Sequence, residues 1–244
     1  MMTAISIKGL TKKYKDRIAV HELTMDIYKG EFFALLGFNG AGKTTTIRMI
    51  SGLTSPSSGD AFVLNDSIVN QMEKIKQNLN ISPQETAIAP NLTVFENLVF
   101  IAEVYGFNKN DSKMKANTML ERFNLTDRKN DKSKKLSGGL KRRLSIAMAL
   151  ITEPKILFLD EPTLGLDVRA RRELWQILRE LKGKVTVVLT THYLDEVEAL
   201  ADRIAIIDNG MLQVVGTLQQ LRQQTKMNSL EDIFISLTGG DKGL

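Results

Sequence analysis

Gly37-Phe38-Asn39-Gly40-Ala41-Gly42-Lys43-Thr44 matches the spacing G-x-x-x-x-G-K-[ST], and its reading decides the fold. An apolar run, Phe32-Phe33-Ala34-Leu35-Leu36, precedes it. A stretch holding Ile47 and Ile50 follows it and ends near Gly52. Strand, glycine-rich turn and helix form the setting in which backbone N–H groups wrap a phosphate, because glycine has no Cβ to block the approach. The helix start adds about half a positive charge. Gly37 to Thr45 is therefore read as a phosphate-binding segment, with Lys43 reaching the β- and γ-phosphates and the Thr44 hydroxyl ligating Mg²⁺. A glycine-rich turn with a chance lysine is the competing reading, and the flanking strand and helix disfavour it.

Four further short apolar runs lie downstream: residues 156–159, 185–189, 204–207 and 212–215. Continuous apolarity, without polar alternation, predicts strands covered on both faces, as in a parallel sheet between helices. The run at 156–159 leads into two acids, Asp160 and Glu161. Such a strand delivers its last residues to the crevice where α/β ligands bind. Asp160 is placed to hold Mg²⁺, and Glu161 to orient and deprotonate an attacking water. A helix cap is the alternative for these acids, weakened by the phosphate segment upstream. The alternating Ile5 and Ile7 suggest an antiparallel edge strand.

Between residues 86 and 152 the period changes to that of helices. Thr93-Val94-Phe95-Glu96 is a capping box, followed by Leu98, Ile101, Ala102 and Tyr105 at helical spacing. Ala116, Met119, Leu120 and Phe123 form a second stripe, and Leu140, Leu144, Ala147 and Ile151 a third. The expected layout is one domain over 1–244: an α/β core from 1–85 and 153–215, a helical insert over 86–152, and a helical extension over 216–244. Thr217…Gln220 and Ser229…Asp232 are expected caps, and Gly239-Gly240 a fraying end. Asn108-Lys109-Asn110-Asp111 matches a guanine-binding pattern but follows a helix, so it reads as a polar turn. Trp175 reads as packing.

Composition excludes several classes. At 43% hydrophobic, the 244-residue chain can bury a core. It has no cysteine, hence no disulfide, Cys-ligated zinc or thiol nucleophile. No window approaches the roughly 18 apolar residues of a membrane span, and the N-terminus lacks a signal-peptide block. A cytoplasmic chain is expected. The +5 net charge gathers at Lys12, Lys13, Lys15 and Arg17, and at Lys134, Lys135, Lys141, Arg142 and Arg143. Anionic lipid, nucleic acid or nucleotide would each suit it, but charge alone favours solvated surface.

With the phosphate segment and Asp160-Glu161 in place, the chain resembles the nucleotide-binding subunits of ABC transporters. Further motifs follow in that family's order. Leu136-Ser137-Gly138-Gly139-Leu140 looks like the family signature, Gln84 like the Q-loop glutamine, Gly165-Leu166-Asp167 like the D-loop and His192 like the switch histidine. Tyr14 sits where the family places an aromatic that stacks on adenine. The resemblance implies a P-loop, RecA-like α/β core with a mostly parallel sheet, an antiparallel β edge and an inserted helical subdomain. It implies ATP and Mg²⁺ as ligands. Catalytic roles fall to Glu161, His192 and Gln84, and metal ligation to Thr44, Gln84 and Asp160. ATP contacts fall to Tyr14, the 37–45 segment, and Ser137, Gly138, Gly139 and Asp167.

Having one phosphate loop and one signature, the chain is expected to pair with a second copy and sandwich two ATP molecules. An integral membrane permease is the other expected partner, with the chain peripheral on the inner face of the cell membrane, and no nucleic acid is expected. Two positions depart from the commonest family pattern. Phe38 stands where proline is usual, which alters loop stiffness more than chemistry. Leu140 stands where glutamine is usual, similar to a variant among drug-type and lipid-type exporters. With the tail Ser229-Leu230-Glu231-Asp232-Ile233-Phe234, it points to the ATPases of bacterial two-gene exporters. An importer ATPase, a soluble ABC ATPase acting on ribosomes or DNA, and a degenerate regulator are the alternatives. The short chain and the intact Lys43, Asp160 and Glu161 disfavour the last two.

Overall fold

The computed structural model describes residues 2–239; Gly240, part of the expected fraying end, lies outside them. In chain order the strands are β1 (Thr3–Tyr14), β2 (Arg17–Tyr28), β3 (Phe32–Leu36), β4 (Ser58–Val63), β5 (Asp66–Ser67), β6 (Leu79–Ser82), β7 (Ile156–Asp160), β8 (Thr186–Thr191), β9 (Arg203–Asp208) and β10 (Met211–Gly216). The helices are α1 (Lys43–Ile50), α2 (Met72–Lys76), α3 (Val94–Val104), α4 (Lys109–Arg122), α5 (Gly138–Leu150), α6 (Val168–Arg179), α7 (Leu194–Leu200), α8 (Leu218–Thr225) and α9 (Leu230–Leu237).

The apolar runs form a six-stranded sheet in the order β10-β9-β3-β8-β7-β6, parallel except for β10. Every residue of β3, β7 and β8 is buried. The period-two pleat sends Phe32, Ala34 and Leu36 to one core and Phe33 and Leu35 to the other. The first core is roofed by the helical segment and the C-terminal helices. The second lies under α1 and a four-stranded antiparallel sheet, β2-β1-β4-β5. The parallel strands end on the same side as β3, so the loops after β3, β6, β7 and β8 converge there.

Two expectations are corrected. Ile5 and Ile7 do not lie on an edge: β1 pairs with both β2 and β4. Local alternation records one buried face but not which neighbours a strand has. Arg142 and Arg143, expected at a solvated surface, are 4% and 8% exposed. Strand β6 was not expected at all, because Asn80 and Ser82 interrupt its apolar run. Both are satisfied from the α5 side: Asn80 Nδ2 donates to Ala149 O at 2.9 Å and to Thr152 Oγ1 at 2.7 Å, and Ser82 bonds Ser145 at 3.0 Å. The Thr93–Glu96 capping box forms at the start of α3. Asn108 caps α4, so the guanine-like tetrad is a helix start. Thr217 and Ser229 cap α8 and α9.

Candidate nucleotide site

Gly42 adopts φ +104°, and a Cβ there would stand 2.5 Å from Ala19 O. A Cβ on Gly37 would stand 2.4 Å from Ile207 O. Neither position admits a side chain, so the loop between β3 and α1 presents bare backbone. Behind it Lys43, 4% exposed, turns its ammonium inward. Its Nζ donates to Gly37 O at 2.8 Å and Phe38 O at 3.2 Å, and lies 3.3 Å from Glu161 Oε1. This is a desolvated cation held by carbonyls and one carboxylate, ready to meet anionic oxygen.

Across the loop, β7 delivers Asp160 and Glu161. Asp160 Oδ1 accepts from Thr44 Oγ1 at 3.0 Å and from Thr190 Oγ1 at 2.5 Å. Hydroxyl and carboxylate together are hard oxygen donors of the kind Mg²⁺ selects. Among the described residues no group of three or more His, Cys, Asp or Glu gathers to hold a metal. A cation at Thr44 and Asp160 would complete its shell with phosphate and water oxygens, as Mg²⁺ commonly does.

Glu161 has φ +47°, a left-handed conformation costing about 1–3 kcal/mol for such a residue. Its N–H is held by Thr190, donating to the Oγ1 at 3.0 Å. The bend turns its carboxylate from the strand into the cleft. There Oε2 lies 2.9 Å from His192 Nδ1, yet neither atom has a hydrogen bond of good alignment. Buried polar atoms left this way mark a place for a further polar partner.

These groups share one cleft of about 430 Å³. Its lining combines Asn39, Gly40, Gly42, Lys43, Thr44 and Thr45 with Gln84, Glu161, His192, Tyr14 and Arg17. Tyr14 is half exposed, and the Lys12 ammonium lies over one face of its ring, 4.9 Å from the centroid. Ser137, Gly138, Gly139 and Asp167 do not line it. They sit at two neighbouring helix starts: Ser137 caps α5, Asp167 caps α6, and a Cβ on Gly139 would lie 3.1 Å from Ala170 Cβ.

Sequence reasoning missed Arg142. From α5 its guanidinium donates to Asp160 O at 2.6 Å, Pro162 O at 2.9 Å and Pro83 O at 2.5 Å. It thereby ties α5 to the strand end beside Glu161 and to the loop carrying Gln84. Burial pulls its pKa down to about 10, against the neighbouring Asp160, Glu196 and Glu161 carboxylates, so it stays cationic at neutral pH. Helical phase was the available signal, since Arg142 lies four residues before Ile146, which is fully buried.

A family model described as ABC transporter matches residues 20–164, more than half of the chain. The chain belongs to the ABC transporter family. The match takes in residues 37–45, Gln84, residues 136–140 and the Asp160-Glu161 pair. The linearmycin resistance ATP-binding protein LnrL of Bacillus subtilis is 43% identical over 95% of this chain and 75% of its own length. The phospholipid-transporting ATPase ABCA3 of Homo sapiens is 42% identical over 92% of this ABC chain, which spans only 13% of that much longer protein. A dimeric ATP-binding cassette solved in a post-hydrolysis state with ADP and Pi superposes with a TM-score of 0.79 at 27% identity, covering 88% of this chain and 98% of that one.

Proposed function

We propose that this ABC chain hydrolyses ATP, and that two copies close around two Mg-ATP molecules to power export through a separate membrane permease. The observation that carries the reading is the convergence of Lys43, Thr44, Glu161 and His192 on one cleft, with Asp160 directly behind Thr44. Loop N–H groups and Lys43 bind the β- and γ-phosphates, and Tyr14 stacks on adenine. Thr44, Asp160 and Gln84 would hold Mg²⁺. The ion, when bound, neutralises charge developing on the phosphate oxygens. Glu161 accepts the proton of a water attacking the γ-phosphorus as the bond to ADP breaks, and His192 orients the γ-phosphate.

Ser137, Gly138, Gly139 and Asp167 do not line their own chain's cleft, which suits a role in closing the cleft of a second, identical copy. Loss of the bridging γ-phosphate then releases the pair. The resemblance to a drug-resistance ATP-binding protein supports export and a position on the inner membrane face. No helix among the described residues is long and apolar enough to cross a membrane, so the permease supplies the path. Glu161→Gln tests the reading. Turnover is expected to fall about a hundredfold or more while ATP binding persists and the dimer becomes stable with ATP. Phosphate release at the wild-type rate overturns it.

A further inference from the structure

The ring of Phe38, at the outer turn of the phosphate loop, meets the ring of Phe234 on α9, with centroids 4.8 Å apart and planes tilted by 58°. This lies within the range of favourable aromatic pairs. Phe234 is 6% exposed and its neighbours Leu230 and Ile233 are buried, so α9 is anchored in the core. Phe38 is 52% exposed, and the Phe234 contact is what its ring gains from the fold. The same residue's carbonyl accepts from Lys43 Nζ at 3.2 Å and from Ala41 N–H at 3.1 Å. One residue thus touches the C-terminal helix through its ring and the phosphate-binding lysine through its backbone.

We propose that Phe234 is a positioning residue for the nucleotide site: by holding Phe38, α9 fixes the phosphate loop in the shape that receives ATP, and tail docking and nucleotide binding reinforce each other. This rests on the nucleotide-site reading above. A loop with proline at position 38 carries its own stiffness in φ. Here that stiffness comes from outside the loop, through a ring contact with the tail. Because coupling free energies are reciprocal, ATP must steady α9 as much as α9 steadies the ATP-bound loop.

The test uses the full chain with Phe38→Ala, Phe234→Ala, Phe234→Leu and the Phe38→Ala/Phe234→Ala double variant. Calorimetric Kd for Mg-ATP is expected to rise roughly three- to tenfold in each Ala variant, with kcat changing less than KM. The double variant is expected to be no weaker than the worse single, and Phe234→Leu to recover part of the loss. Phe38 is half exposed, so its Ala variant keeps the fold even where Phe234→Ala does not. For it the readout is hydrogen exchange: ATP slows exchange of the α9 amides in wild type, and this slowing disappears in Phe38→Ala. Additive losses, unchanged Kd in both single variants, or α9 protection that survives Phe38→Ala would each overturn the coupling. Lys43→Ala separates the two readings: unaltered ATP affinity there defeats the nucleotide site itself, whereas lost affinity there with an additive Phe38/Phe234 cycle defeats only the role of α9.

Discussion

Glu196 on α7 is fully buried, one turn beyond His192, with the Trp175 indole N–H donating to its Oε1 at 3.3 Å. Burial pushes its pKa up to about 7, the nearby Glu161 charge adds to the rise, and Thr191, Thr163 and Trp175 oppose it. The sign follows from linkage. Between about 4.5 and 7 the folded chain keeps a proton that the unfolded chain has lost, so stability falls as pH rises through that window. The loss is on the order of 3 kcal/mol by pH 8. Glu196→Gln carries no such proton, so the variant should gain on wild type by several degrees of melting temperature from pH 5 to pH 8. Scanning calorimetry at both pH values checks this, and parallel melting shifts would refute it. Trp175 was read as packing, and it is also the hydrogen-bond donor to this acid. Composition offers no signal for that, since a carboxyl 21 residues away becomes a partner only after α6 and α7 pack.

At the scale of elements, legibility divided by how local the cause is. The glycine-rich turn between β3 and α1, the capping boxes and the apolar strands could be read, because glycine geometry, caps and hydrophobic period act over a few residues. Strand β6 could not, because its buried Asn80 and Ser82 are tolerated only through α5. The placement of β1 in mid-sheet also depends on strands far along the chain. Arg142 is the largest such case. A run of Lys and Arg looks solvated until the helix turns one of them toward three carbonyls. Arg142→Met is expected to leave those acceptors unpaired, costing about 2–4 kcal/mol of stability. Denaturant unfolding measures the cost. Turnover should fall beyond what lost stability explains, because the strand end beside Glu161 loses its brace. Arg142→Lys should recover only part of either property, since an ammonium cannot match the planar fork of donors.

At the scale of the molecule, the cleft and the paired starts of α5 and α6 are separate places: no residue of either start lines the cleft. Gly139 approaches Ala170, and neither Ser137 nor Asp167 reaches the cleft of its own chain. In the proposed pair each ATP draws its loop from one chain and its signature from the other. Consider two inactive variants, Lys43→Ala and Ser137→Ala, mixed as equal populations. A mixed pair concentrates both lesions in one site and leaves its other site untouched. Random exchange makes half of all pairs mixed, so the mixture should regain about a quarter of wild-type hydrolysis from two dead preparations. Silence in the mixture, with exchange demonstrated, would mean that a single chain builds its site alone. On that proposal, null alleles altered at Lys43 and at Ser137 should complement one another in a single cell.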